Sequence, residues 1–201
     1  MNTSASVRTS CLRGLLAAAL LLLPALCLAN TPTEYLRTTI DQVLAVLHEA
    51  GTDSAAKREK IRVVINERFD YRAMSQSALA RNWKKASSDE QQRFVELFAR
   101  MMQNTYLVMV EEYNDQAVEY GGETIRKEKY AQVKTVIVDG GRRIPVDYKL
   151  RLKDGEWLVY DVIIEGVSMI NNYRSSYRQI VKRDGMQGLI AKLETKLASS
   201  Q

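Results

Sequence analysis

Between Thr31 and Val110 the apolar residues return at intervals of three and four, between Ala117 and Glu165 they alternate, and beyond Gly166 the longer spacing resumes. A 3.6-residue period marks amphipathic helices and a period of two marks half-buried strands. Thr31-Pro32-Thr33-Glu34 opens the first helix with a capping hydroxyl, a proline at the first helical position and a glutamate three residues after the cap. Leu36, Ile40, Val43, Leu44 and Leu47 then share one stripe, and Gly51 ends the helix. A second helix begins near Asp53-Ser54 and buries Ile61, Val64 and Ile65 before Phe69. The segment from Phe69 to Ser75 leads into a short helix through Leu79 that ends around Trp83-Lys84-Lys85. Ser87-Ser88-Asp89-Glu90 is again a capping box, and it opens the longest helix. Phe94, Leu97, Phe98, Met101, Met102, Tyr106, Leu107 and Val110 cover more than one narrow stripe of that helix. Such a helix is buried on more than one side or lines something apolar.

The alternating region predicts about four strands. In Ile144-Pro145-Val146-Asp147-Tyr148-Lys149-Leu150-Arg151-Leu152 the odd members of the run face one way and the even members the other, so one face is buried. Asp139-Gly140-Gly141 and Lys153-Asp154-Gly155 are hairpin turns, which makes the order antiparallel, and Pro145 suggests an edge strand or a bulge. After Gly166 one helix runs from Met169 to Val181; Gly185 separates it from an amphipathic piece carrying Leu189, Ile190, Leu193 and Leu197. Helices, a meander and helices again give an α+β domain with helices laid on one face of a curved antiparallel sheet.

The first thirty residues change the setting. Arg8 and Arg13 precede the apolar run Leu15 to Leu23, then Pro24, then small residues at Cys27 and Ala29, the three parts of a cleavable secretory signal. Cleavage is read after Ala29, leaving residues 30–201 as a single domain. The run is about half of the ~20 residues that a spanning helix needs. Both cysteines, Cys11 and Cys27, lie in the signal, so the mature chain has no disulfide or thiolate chemistry. Losing two arginines lowers the formal net charge from +5 to +3. With export and no basic run interleaved with aromatics, the excess reads as mild attraction to anionic lipid surfaces and not as nucleic-acid binding.

Candidate chemistry is sparse. His48, the one histidine, sits at the polar edge of the first helix, which leaves a triad or a His-rich metal site nothing to use. Ser168 in Glu165-Gly166-Val167-Ser168-Met169-Ile170 lacks both the second glycine of a nucleophile elbow and an activating base; it reads as a helix cap. Asp161 and Glu165 share a strand parity with Trp157 and Ile163 and read as solvated or ion-paired. Gly121-Gly122 and Gly140-Gly141 lack the following helix of a phosphate cradle. No catalytic residue, metal ligand or cofactor is assigned. The inward aromatics and methionines describe a packed core and a ligand cavity equally well, because both use the same residue types.

Several blocks together carry a resemblance: Phe69-Asp70-Tyr71-Arg72-Ala73-Met74-Ser75, then Ala78 to Ser87 (ALARNWKKAS), Gln91-Gln92-Arg93-Phe94, Thr105-Tyr106, Trp157 to Ser168 (WLVYDVIIEGVS) and Asn172-Tyr173-Arg174. In order and over essentially the whole mature chain they resemble the MlaC family, the toluene- or organic-solvent-tolerance phospholipid-binding proteins. Ala80 departs from the glycine that the family pattern puts after the Ala-Leu pair. The resemblance implies a nuclear-transport-factor-like or cystatin-like sheet enclosing an apolar cavity. It also implies a monomeric periplasmic shuttle for phospholipid, docking transiently with an inner-membrane ABC transporter complex and an outer-membrane lipoprotein complex to maintain outer-membrane lipid asymmetry. The residues expected to meet acyl tails are Phe94, Phe98, Met101, Tyr106, Val133, Ile137, Val146, Tyr148, Leu150, Tyr160, Val162 and Ile164. Tyr71, Met74 and Trp83 are expected at the mouth, and Lys84, Lys85, Arg143 and Arg174 near a head-group phosphate. A chaperone for apolar peptide or lipoprotein segments and a hydrolase on the same kind of sheet are the competing readings.

Overall fold

The computed structural model describes residues 31–111 and 116–199; the expected signal segment, with cleavage read after Ala29, lies outside the described residues. Helix α1, Pro32–Leu47, starts from the expected reciprocal cap, with Glu34 N donating to Thr31 Oγ1 (3.2 Å) and Thr31 N donating to Glu34 Oε2 (3.0 Å). Helix α2, Ser54–Arg68, is capped by Asp53, and of its residues only Ile61 is fully buried. Helix α3, Tyr71–Leu79, is capped by Asp70 and runs into a 3-10 turn, Ala80–Lys85. Between the two, Ala80 has φ 49 and ψ −118, a conformation that only glycine adopts without strain. Helix α4, Ser88–Glu111, starts from the second capping box, Ser87 with Glu90.

The strands β1 (Ala117–Arg126), β2 (Tyr130–Asp139), β3 (Arg142–Lys153) and β4 (Glu156–Ile164) form an antiparallel meander, extended by the two-residue β5 (Val167–Ser168). Both predicted hairpins are two-residue turns with positive φ at each central residue, Gly140-Gly141 and Asp154-Gly155, whose twist matches that of the strands. Pro145 corrects one expectation, because β3 is an interior strand without a bulge at that residue. Its register partner in β2 is Val136, and its carbonyl points the other way, accepting from Glu165 N (2.9 Å) beyond the last β3–β4 pair, Val146 with Ile164. The missing N–H therefore faces the side where no partner strand waits.

A bulge in β4 corrects a second expectation. Lys149 opposes Asp161 and Leu150 opposes Val159, so Tyr160 has no partner and the alternation shifts by one residue. Trp157 and Val159 face inward before the bulge and Val162 and Ile164 after it, which takes Asp161 off the face it was expected to share with Trp157. Asp161 is buried on the outer side, paired with Lys149 (3.1 Å) and accepting from Ser168 Oγ (2.7 Å) and Ile170 N (3.2 Å). A carboxylate placed there suits the positive end of the last helix, α5, Met169–Ala198, which Ser168 caps. Gly185 bends α5 (φ 70) where the sequence predicts a break.

All of the long helices lie on the inner face of the sheet, and they divide it. Phe94 and Phe98 from α4 meet Tyr173 and Tyr177 from α5 edge-on, at ring separations of 5.4 to 5.9 Å. Val133, Leu150, Trp157 and Val159 on the sheet and Leu189 and Leu193 on α5 belong to the same buried cluster. The other half of the face is not filled.

Candidate functional site

Under α1 and α2 the sheet opens into a cavity of about 460 Å³, within the ~300–1,000 Å³ usual for ligand pockets. Its floor is a grid of directly opposed residues: Val118 beside Ile137, Ile137 beside Ile144, Thr135 beside Val146, Val146 beside Ile164 and Tyr148 beside Val162. The roof is the apolar stripe of α1, with Ile65 of α2, and one flank is Met102, Tyr106, Leu107 and Val110 of α4. Tyr71, the first residue of α3, and Met169, the first of α5, complete the wall. Asp161 thus sets the position of a wall residue, Met169, by fixing the start of α5.

The polar members of the wall are few. The buried hydroxyls of Thr39 and Thr135 are spent on the carbonyls of Tyr35 (3.0 Å) and Val146 (2.6 Å). The charged groups are Arg62, paired with Glu59 (2.5 Å), and the exposed Asp139; Gln103 is hydrogen-bonded to Asn66. Burial pushes the hydroxyls of Tyr71 and Tyr148 up to about 12 and moves Tyr106 upward, with the neighbouring Tyr173 adding to the last shift. All three rings therefore stay neutral at physiological pH, which leaves Arg62 and Asp139 as the charged groups of a mostly apolar wall. Among the described residues no group of three or more His, Cys, Asp or Glu side chains is placed to hold a metal.

Of the twelve residues expected to meet acyl tails, Tyr106, Ile137, Val146, Tyr148, Val162 and Ile164 line the cavity. The other six do not. Phe94, Phe98 and Met101 lie on the α5 side of α4, where the Tyr177 hydroxyl donates to Met101 Sδ (3.4 Å). Val133 and Leu150 are fully buried farther along the sheet, and Tyr160, on the bulge, packs against Tyr130 on the outer face (6.1 Å). At the expected mouth Tyr71 is in the wall, Met74 is fully buried core, and Trp83 sits on the 3-10 turn beneath Arg72. None of the four expected head-group cations reaches the cavity. Lys84 and Lys85 are exposed on the 3-10 turn, Arg143 is held by both oxygens of Glu119 (3.1 and 2.6 Å), and Arg174 Nε donates to Ser77 O (2.7 Å). Sequence reasoning missed the role of α1 and α2 as the roof. The available signal was a mismatch, since five apolar stripe residues on the first helix face a second helix rich in charge.

The family model described as MlaC protein matches residues 37–195. The toluene tolerance protein ttg2D of Pseudomonas putida is 26% identical over 163 residues, 78% of this chain and 76% of that protein. The intermembrane phospholipid transport system binding protein MlaC of Haemophilus influenzae is 22% identical over 117 residues, 56% of this chain and 55% of that one. A solved structure of a phospholipid-binding protein from Ralstonia solanacearum, in complex with a phospholipid, has the same fold, with a TM-score of 0.74 at 23% identity over 83% of this chain and 96% of that one. Because the family model spans α1 to α5 and every strand of the sheet, the chain belongs to the MlaC family.

Proposed function

We propose that this protein is a periplasmic phospholipid carrier that shelters acyl tails in the cavity beneath α1 and α2 and leaves the head group at the rim. The observation that carries the reading is the cavity itself, which is apolar throughout its depth with its charged members limited to Arg62 and Asp139. Two tails of roughly fifteen carbons cost on the order of 20 kcal/mol to leave in water, at ~0.8 kcal/mol per methylene. A dry slot cancels most of that cost without directional bonds, so different tails fit. An extended peptide is a poorer occupant. Each of its residues brings a donor and an acceptor, while the wall is mostly apolar, its threonine hydroxyls are already bonded, and its other polar groups are a few tyrosine hydroxyls and glutamine amides.

Release then requires a partner that offers a comparable apolar environment, because spontaneous exit repeats the transfer penalty. In this reading the partners are an inner-membrane ABC transporter complex and an outer-membrane lipoprotein complex, engaged in turn to keep the outer membrane's lipids asymmetric. The role needs no catalytic step. Native mass spectrometry of protein purified without detergent tests it: the expected mass is a chain beginning at Asn30 plus diacyl phospholipid. A clean ligand-free mass, with no uptake from vesicles, would overturn it.

A further inference from the structure

Several exposed cations of this protein sit beside a carboxylate, as Lys60, Arg93, Arg143 and Lys192 do. On one face, cations without such a partner are gathered together. Residues 71–88, covering α3 and the 3-10 turn, contain Arg72, Arg81, Lys84 and Lys85 and neither Asp nor Glu. Residues 169–182, in the first half of α5, contain Arg174, Arg178 and Lys182 at a helical spacing of four, again with neither acid; Arg183, next in the chain, pairs with Asp184 (2.9 Å). The two segments pack side by side, tied by Arg174 Nε donating to Ser77 O, and all seven cations are exposed. Among the described residues none of the seven is ion-paired to a carboxylate.

We propose that this face docks the protein on anionic bilayer surfaces. Two features favour a bilayer over an acidic protein. Specific protein interfaces are anchored by exposed aromatic or large apolar side chains, yet the large exposed hydrophobics, Val63, Ile125, Tyr130 and Val167, all lie outside both segments. Between the cations the helices expose small polar groups such as Gln76, Asn171 and Ser175, and the half-buried Trp83 lies beneath Arg72. A broad, unpaired, hydrogen-bonding cationic surface meets phosphate head groups without burying anything apolar. The geometry also gives the docking a use. Tyr71 and Met169 begin the two helices of this face and are themselves cavity-wall residues, so docking sets the cavity wall beside the bilayer. The attraction itself does not depend on cargo.

Co-flotation of the mature protein with phosphatidylglycerol-rich vesicles, against pure phosphatidylcholine vesicles, tests the proposal at low and at raised salt. Binding is expected to the anionic vesicles alone and to weaken with salt, because surface attraction fades beyond a Debye length of ~10 Å at 0.1 M. The triple variant Arg81→Gln, Arg178→Gln, Lys182→Gln is expected to bind about a hundredfold more weakly, at roughly fivefold per cation. The matched control Lys60→Gln, Arg93→Gln, Arg143→Gln loses the same charge from paired positions and is expected to keep most of the binding. Equal losses in the two variants would show that net charge and not this face is responsible, and would overturn the proposal. So would parent protein that ignores anionic vesicles at low salt, an outcome that turns the patch toward an acidic protein. Lipid loading, read by mass spectrometry on the same preparations, separates a failure of docking from a failure of carriage.

Discussion

Val146 and Leu150 are four residues apart on β3 and point to the same side of the sheet, yet one borders empty space and the other does not. Replacing each with tryptophan separates the cavity from the core. Tryptophan carries about seven more non-hydrogen atoms than valine, which at Val146 take the room of roughly five tail methylenes. At ~0.8 kcal/mol per methylene, affinity for a diacyl lipid falls by about 4 kcal/mol, close to a thousandfold. The emptied variant keeps its melting temperature or gains, because the ring fills a void. At Leu150, fully buried in a filled region, the larger ring overpacks the core at ~1–3 kcal/mol, lowering the melting temperature by roughly 2–12 °C in a domain of this size. Lipid content by mass spectrometry and thermal unfolding followed by circular dichroism read the two effects separately. A Val146→Trp protein that melts normally and still carries its full complement of lipid would refute the assignment of this cavity as the tail site.

Two further expectations concern the fold. Ala80→Gly is expected to stabilise the protein by ~1 kcal/mol, the reverse of the usual effect of glycine, because Ala80 occupies a strained positive-φ conformation; an unchanged or lower urea midpoint would refute this. Tyr71 and Tyr148 titrate at about 12 in the folded protein against an ordinary 10.0, so the unfolded chain loses these protons first. Their contribution to stability is complete below pH 10 and is lost as the pH rises to about 12, and Tyr148→Phe is expected to flatten that alkaline decline in denaturation curves.

Caps, turns and breaks were legible because they are local. Thr31 with Glu34, Ser87 with Glu90, Gly140-Gly141 and the bend at Gly185 each follow from a few adjacent residues, and each is found where the sequence places it. Ala80 belongs with them, since the family pattern's glycine marks the one backbone conformation there that an alanine resists. The site was half legible. Strand alternation brought Ile137, Val146 and Tyr148 to the cavity wall, then failed at Tyr160, where one unpaired residue shifts the alternation so that Trp157 and Val159 before it share the inner face with Val162 and Ile164 after it. On α4 the breadth of the apolar surface announced two buried sides. Which side was full depended on Tyr173 and Tyr177, some seventy residues away in sequence. Periodicity reports that a face is turned from water, and a void and a packed ring satisfy it equally.

The division of the sheet's inner face has a consequence for the working cycle. In most ligand-binding domains that are hollow at the centre, the cargo completes the core, and removing it softens the whole molecule. Here the rings of Phe94, Phe98, Tyr173 and Tyr177 and the strand residues Val133 and Leu150 form a keel that never touches the cavity. Unloading then leaves the keel's contacts intact and confines any softening to α1 and α2, the elements that roof the cavity. A carrier of the proposed kind can thus remain folded with its cargo and without it, the unladen form as durable a state as the laden one.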